Sequence, residues 1–126
     1  MILSETGFRD YDALKVLDLS SSDITVMKSS WFARKTIEVL DISKNLIKNL
    51  KKDDMNFFDR LRVFDASAND IKSIEQNSFI DLKKLEKLIL NDNGLDVILL
   101  DNLGSLKTIS LRGNSIATVS QRTSKC

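Results

Sequence analysis

Three aspartates are the residues of this chain whose type and spacing most suggest chemistry. Asp18, Asp41 and Asp65 recur at spacings of 23 and 24 residues, each between two apolar positions. Carboxylates stacked at a regular spacing repel one another, and lysines or arginines of a partner, or a bound cation, would relieve that repulsion. The row therefore predicts either a salt-bridging surface or a cation site, unless the aspartates serve the repeat's own structure.

Catalysis has few side chains available in this sequence. The chain has 126 residues, no histidine and a single cysteine, Cys126. The commonest pairs of nucleophile and base need such groups, so we expect a protein that is not an enzyme and holds no cofactor. One cysteine excludes a disulfide within the chain and a multi-cysteine metal site, which leaves Cys126 as a candidate for a disulfide between two chains.

Composition narrows the class of partner. The chain carries 19 basic and 18 acidic residues, a net charge of +1, so it lacks the basic excess that attracts nucleic acid. No apolar run approaches the roughly 20 residues that cross a bilayer, and residues 1–5 lack the pattern of a secretory signal. We expect a protein ligand or partner subunit, with no nucleic acid and no direct insertion into a membrane.

The aspartates are embedded in a ladder of apolar residues that recurs five times. The unit Leu14-x-x-Leu17-x-Leu19-x-x-Ser22-x-Ile24 returns with its first position at Ile37, Leu61, Leu85 and Leu106. A near-fixed period of this length marks stacked repeats, and alternation inside each unit predicts a strand with one buried face. The predicted fold is an α/β repeat solenoid, with short parallel strands on the concave face and loops or short helical turns on the convex face.

The period also predicts how the chain is divided. We expect a single domain, residues 1–126, with a half repeat at 1–13 and repeats at 14–36, 37–60, 61–84, 85–105 and 106–126. Neither end shows a capping segment of the kind that covers the core of a solenoid, so we expect a fragment of a longer solenoid. After four of the strands comes an asparagine whose amide can satisfy buried backbone groups; these are Asn45, Asn69, Asn93 and Asn114.

Strand positions that point away from the core predict the binding surface. One row reads Asp18, Asp41, Asp65, Ile89, Ser110, and the row beside it reads Val16, Val39, Val63, Lys87, Thr108. An apolar strip beside an acidic strip suits a protein ligand, because apolar contacts supply affinity and charges supply register. The predicted ligand-contacting residues are Asp18, Asp41, Asp65, Val16, Val39, Val63 and Ile89. A further row alternates in sign and predicts pairing between units: Lys15, Glu38, Arg62, Glu86, Lys107.

The strand pattern, the turn asparagine and an apolar spine together resemble the typical class of leucine-rich repeats. The spine residues are Phe32, Met55, Phe79 and Leu103. The register of Phe8, Phe32 and Phe79 is similar to that of Toll-like receptor ectodomains and secreted insect immune repeat proteins, whose repeat surfaces bind proteins or microbial ligands. The resemblance implies an extracellular recognition module, part of a receptor or secreted immune factor. The alternatives are a cytoplasmic location and an assembly module that mediates homo- or hetero-dimerisation.

Overall fold

The structure is a computed structural model that describes residues 14–27, 36–56, 58–99, 103–116 and 118–120. The half repeat at 1–13, Phe32 of the spine and Cys126 lie outside the described residues. In chain order the elements are β1 (Val16–Asp18), β2 (Val39–Asp41), β3 (Asn49–Leu50), α1 (Lys52–Met55), β4 (Val63–Asp65), β5 (Ser73–Ile74), β6 (Lys87–Ile89), β7 (Val97–Leu99), β8 (Thr108–Ser110) and β9 (Thr118–Ser120).

The main sheet has five strands in the order β1-β2-β4-β6-β8, and every neighbouring pair is parallel. The middle residue of each strand is apolar and faces the core, while its two neighbours face solvent, as the alternation in sequence requires. The predicted solenoid with one parallel sheet of short strands is confirmed. The boundaries assigned to the individual repeats stay a prediction.

The outer wall contains strands that the sequence did not predict. Strand β3 pairs with β5, and β7 pairs with β9, each pair being parallel. The side chains of Leu50 and Ile98 point inward from this wall and are buried. One short helical turn of the kind predicted for the convex face is present as α1, at whose start the Asp54 carboxylate accepts the Lys51 N–H at 3.0 Å. Within the described residues no helix is long and apolar enough to cross a membrane.

The core runs the length of the coil between the two walls. It includes the spine residues Met55, Phe79 and Leu103, all buried. Phe79 meets Phe64 of β4 edge to face, with ring centroids 6.4 Å apart. Packing is tightest in the middle units and weaker in the last unit, where the partly buried residues are Leu106, Ile109, Leu111 and Ile116. Each unit therefore depends on its neighbours to exclude water.

The turn asparagines form a second ladder behind the sheet. Asn45 is only 5% exposed, and its Oδ1 accepts the N–H groups of Ser22 and Ile24, both at 2.9 Å. Its Nδ2 donates to the carbonyl oxygens of Leu19 and Ile42, again at 2.9 Å. Asn69, Asn93 and Asn114 repeat this pattern one unit later each time. The predicted role of the amides, satisfying backbone groups in buried turns, is confirmed.

The residue before each turn asparagine has a left-handed backbone. The φ angles are 58° at Lys44, 54° at Ala68, 56° at Asp92 and 73° at Gly113. Ser21 in the first unit, at 55°, completes the series. This conformation re-aims the chain from the sheet into the turn, and side chains adopt it at a steric cost. Only at Gly113 does glycine remove that cost, and there a Cβ would also collide with the Asp92 carboxylate.

Candidate functional site: the solvent face of the five-stranded sheet

The strand register places the predicted contact residues in two continuous rows. Val16, Val39 and Val63 are direct partners across β1, β2 and β4, and the row continues through Lys87 and Thr108. Two positions along each strand, Asp18, Asp41 and Asp65 form the second row, which continues through Ile89 and Ser110. We call this surface the concave face. It brings together all seven residues that the sequence singled out.

Exposure varies along the valine row. Val16 is 62% exposed, whereas Val39 and Val63 are half-buried because a strand flanks each of them on both sides. Ile89 is half-buried and extends the apolar area into the row of aspartates. The result is an apolar strip that the fold does not need to bury, positioned on short, paired strands. Rigid strands hold such side chains at a fixed spacing without an ordering cost on binding.

Each aspartate uses one carboxylate oxygen to build the fold. Oδ1 of Asp18, Asp41 and Asp65 accepts the backbone N–H two residues later, at 2.9, 2.9 and 3.0 Å. This closes a small turn where the strand ends, the local bond that aspartate forms readily. Hydrogen bonds from the side chain and then the backbone of Ser20 lower the pKa of Asp18 from its ordinary value. The aspartates therefore serve the repeat's own structure, each through its Oδ1 atom.

The other carboxylate oxygen of Asp41 and Asp65 is left for solvent. Among the described residues, no group donates to Oδ2 of Asp41 or Asp65. Side by side in the sheet, these oxygens make a row of negative charge about 4.8 Å apart. A partner that placed lysines or arginines along the row would gain charge-assisted hydrogen bonds and relieve the mutual repulsion. Within the described ranges, no three acidic or cysteine side chains are arranged to hold a metal ion.

The last two units replace the aspartate turn with an amide network. Asn91 Oδ1 accepts the Ser110 hydroxyl at 2.7 Å and the Arg112 N–H at 2.8 Å. The Arg112 N–H is equivalent to the N–H groups of Ser20, Ser43 and Ser67, which donate to the aspartates in the first three units. The row of aspartates consequently becomes uncharged between β4 and β6, where Ile89 follows Asp65. The sequence analysis did not predict this bond.

An ion-pair chain runs along the edge where the strands begin. Arg62 Nε lies 2.9 Å from Glu86, and its Nη1 lies 3.7 Å from Glu38. Lys107 contacts Glu86 at 3.4 Å, and Lys15 contacts Glu38 at 4.0 Å. The hydrogen bond with Glu86 raises the pKa of Arg62, and the same bond, followed by that from Lys107, lowers the pKa of Glu86. The predicted pairing between units is confirmed, and these exposed pairs contribute register more than stability.

The sequence analysis did not predict one exposed apolar groove. Val26 and Leu46 are 54% and 52% exposed, and they line a groove of about 510 Å³ with Thr25, Lys48 and Asn49. Neither residue occupies a repeat position, so periodicity carried no signal for them. The groove lies beyond the turns, away from the concave face, and nothing in the structure shows what covers it.

The geometry and the sequence pattern together define the class of protein. The leucine-rich repeat family pattern matches residues 12–71 and 59–116, so the chain belongs to the leucine-rich repeat family. Human mimecan is 30% identical over 124 residues, a match that covers 96% of this chain and 40% of mimecan. Mimecan of Coturnix japonica is 28% identical, with 96% and 41% covered. The chain thus spans about two fifths of the length of these curated relatives.

A solved structure shows the same fold at lower identity. Internalin C2 of Listeria monocytogenes matches with a TM-score of 0.70 over 91% of this chain and 54% of that protein, at 20% identity. This similarity establishes the shared architecture of the coil. Leucine-rich repeats of this kind present a protein-interaction surface, and the features that distinguish one member from another lie in the variable positions between the repeated apolar residues.

Proposed function

We propose that the chain is a protein-recognition module that binds its ligand through the concave face. The observation that carries the proposal is the juxtaposition of Val16, Val39 and Val63 with Asp18, Asp41 and Asp65 on one solvent-facing sheet. The ligand surface that fits is an apolar strip beside lysines or arginines. Burial of the valines supplies affinity, and the carboxylates select ligands with complementary charge.

The proposal extends to the biological setting. The module forms part of an extracellular receptor or secreted immune factor, and its ligand is a protein or a microbial surface component. Support comes from the resemblance of the phenylalanine register to Toll-like receptor ectodomains and secreted insect immune proteins. The function is binding without catalysis, since the concave face carries carboxylates, valines and small polar groups but no histidine or cysteine.

The test is a binding screen followed by matched variants. A displayed library of secreted proteins is panned against the chain, and the selected ligand is then titrated against each variant. The double variant Asp41→Asn, Asp65→Asn removes two charges but keeps the Oδ1 acceptors that the turns require. We expect binding to weaken by about tenfold or more, because hydrogen bonds between charged groups contribute roughly 1.5–3 kcal/mol each.

The control makes the same change elsewhere. Asp70 and Asp96 are exposed and lie beyond the turns, away from the concave face. The double variant Asp70→Asn, Asp96→Asn alters net charge equally and should leave affinity unchanged. A second pair, Val39→Thr and Val63→Thr, keeps the branched shape but reduces the apolar area, and it should weaken the same ligand. Equal losses in the concave and control variants would argue against recognition by this face.

A further inference from the structure

Cations cluster where the third and fourth strands of the main sheet begin. Residues 58–62 and 82–86, which lead into β4 and β6, carry two acidic and four basic side chains. The positive charge is concentrated there, because the whole chain has a net charge of only +1. All four cations are exposed, and we call them the basic edge: Arg60, Arg62, Lys83 and Lys84.

Two cations of the basic edge have no ionic partner. Arg60 and Lys84 occupy the same position of consecutive repeats, immediately before the buried Leu61 and Leu85. Neighbouring units of a parallel sheet are about 4.8 Å apart, so the fold holds two like charges side by side. Neither side chain forms an ion pair with any residue that the structure describes. Their mutual repulsion is therefore left for solvent or a ligand to relieve.

The carboxylates of the ion-pair chain are engaged by another cation of the basic edge. Arg62 Nε donates to Glu86 at 2.9 Å, and its Nη1 lies 3.7 Å from Glu38, so the guanidinium is fixed between two carboxylates. Beside it is an open pocket of about 250 Å³, lined by Glu38, Arg60, Arg62 and Lys84. Three cations and one already paired carboxylate thus surround this pocket, which gives it a positive potential.

The surroundings of the pocket favour a ligand that binds through charge alone. The apolar residues of the same two segments are all buried: Phe58, Leu61, Leu82 and Leu85. These segments therefore expose no aromatic ring on which a nucleic acid base could stack, and no apolar area that a peptide side chain could cover. Arginine and lysine bind sulfate and phosphate oxygens through charge-assisted hydrogen bonds. A ligand with repeated oxyanions and a hydrophilic backbone fits this surface.

We propose that the basic edge binds the sulfate groups of an acidic polysaccharide. Arg60 and Lys84 contact one sulfate at the pocket, and Lys83 extends the positive charge toward the next sulfate along the polymer. Arg62 contributes to the potential while the two glutamates hold its guanidinium in place. The site lies where the strands begin, whereas the concave face is formed by the strands themselves, so polysaccharide binding does not depend on the recognition of a protein ligand.

The test is a titration of the chain with a labelled heparin oligosaccharide at low ionic strength. We expect saturable binding that weakens on the order of tenfold or more between about 50 and 200 mM salt. The double variant Arg60→Gln, Lys84→Gln should raise the dissociation constant at least about tenfold. The matched control is Lys48→Gln, Lys72→Gln, which removes two exposed cations that also occupy equivalent positions of consecutive repeats, and it should change the dissociation constant less than about twofold.

Competitors identify the anion. A desulfated oligosaccharide that keeps its carboxylates should compete poorly, and inorganic sulfate at a matched sulfate concentration should not displace the probe. Tighter binding of a single-stranded DNA oligonucleotide would overturn the choice of ligand, and equal losses in the two double variants would assign the binding to net charge. A wild-type chain that does not bind the heparin oligosaccharide at low salt would refute the proposal outright. The variant Asp41→Asn, Asp65→Asn should bind it at least as well as the wild type, which separates this site from recognition by the concave face.

Discussion

Replacing Asn45 by alanine tests the physical basis of the repeat most sharply. The substitution removes five hydrogen bonds, two accepted by Oδ1 and three donated by Nδ2. Not all of their partners are orphaned. The Ile42 carbonyl still accepts Asn69 Nδ2 at 3.1 Å, and the Ser43 carbonyl still accepts the Ser21 N–H at 3.0 Å.

The decrease in the free energy of unfolding depends on the backbone groups that the substitution leaves without a hydrogen bond. The Ile24 N–H and the Leu19 carbonyl are buried and have no other partner among the described residues, and the Ser22 N–H is partly buried. Each buried group left without a hydrogen bond costs about 1–3 kcal/mol. We therefore expect Asn45→Ala to lower the free energy of unfolding by about 3–5 kcal/mol, a large share of the stability of a small domain.

The assay is urea denaturation followed by circular dichroism, combined with hydrogen exchange at the Ile24 amide. Asn114→Ala serves as the control because Asn114 is only partly buried in the last unit, and its loss should cost about 1–2 kcal/mol. Exchange at Ile24 should accelerate in the Asn45 variant well beyond the change in global stability. A loss below about 1 kcal/mol with Ile24 still protected would refute the assignment of the turn amides as the units' internal hydrogen-bonding partners.

Ala68→Gly should stabilise the protein by up to about 1 kcal/mol in thermal or urea unfolding, because φ is 54° there, and Ala66→Gly, in a buried position, should destabilise it. Arg62→Gln should lower the melting temperature slightly at low ionic strength, and the difference should disappear in high salt because the ion pairs are exposed. The pKa of Asp18 is lowered in the folded state, so the contribution of this carboxylate to folding stability is present above the unfolded pKa and is lost as the pH falls through the folded pKa. The Asp18→Asn variant should therefore lose that part of the dependence of stability on pH, as measured by unfolding between neutral and acidic pH.

The sequence predicted the features that the repeat imposes. Leu17, Leu40 and Phe64 are spaced by the period and alternate with exposed neighbours, so periodicity alone indicated both the strands and the register of the concave face. The turn asparagines were predictable for the same reason. Because these hydrogen bonds join each unit to the one before it, asparagine recurs at the same position in four of the five repeats.

Short elements and contacts made in one unit were not predictable. Strands β3, β5, β7 and β9 arise because neighbouring outer-wall segments lie close enough to pair, and each spans only two or three residues, too few for alternation to predict a strand. The bond between Asn91 and Arg112 forms in the last unit, where Ser110 occupies the position of the aspartates in earlier units. The exposure of Val26 and Leu46 depends on the shape of the wall, which a one-dimensional pattern does not contain.

Hydroxyl-radical footprinting of the chain with its selected ligand tests the central claim most directly, because it reports the solvent accessibility of individual side chains. Val26, Leu46 and Val97 serve as internal controls, since all three are exposed and lie away from the concave face. If the concave face is the recognition surface, ligand binding protects Val16, Val39 and Val63 from oxidation and leaves the three controls unchanged. Protection of the controls with unaltered oxidation of the valine row would contradict it.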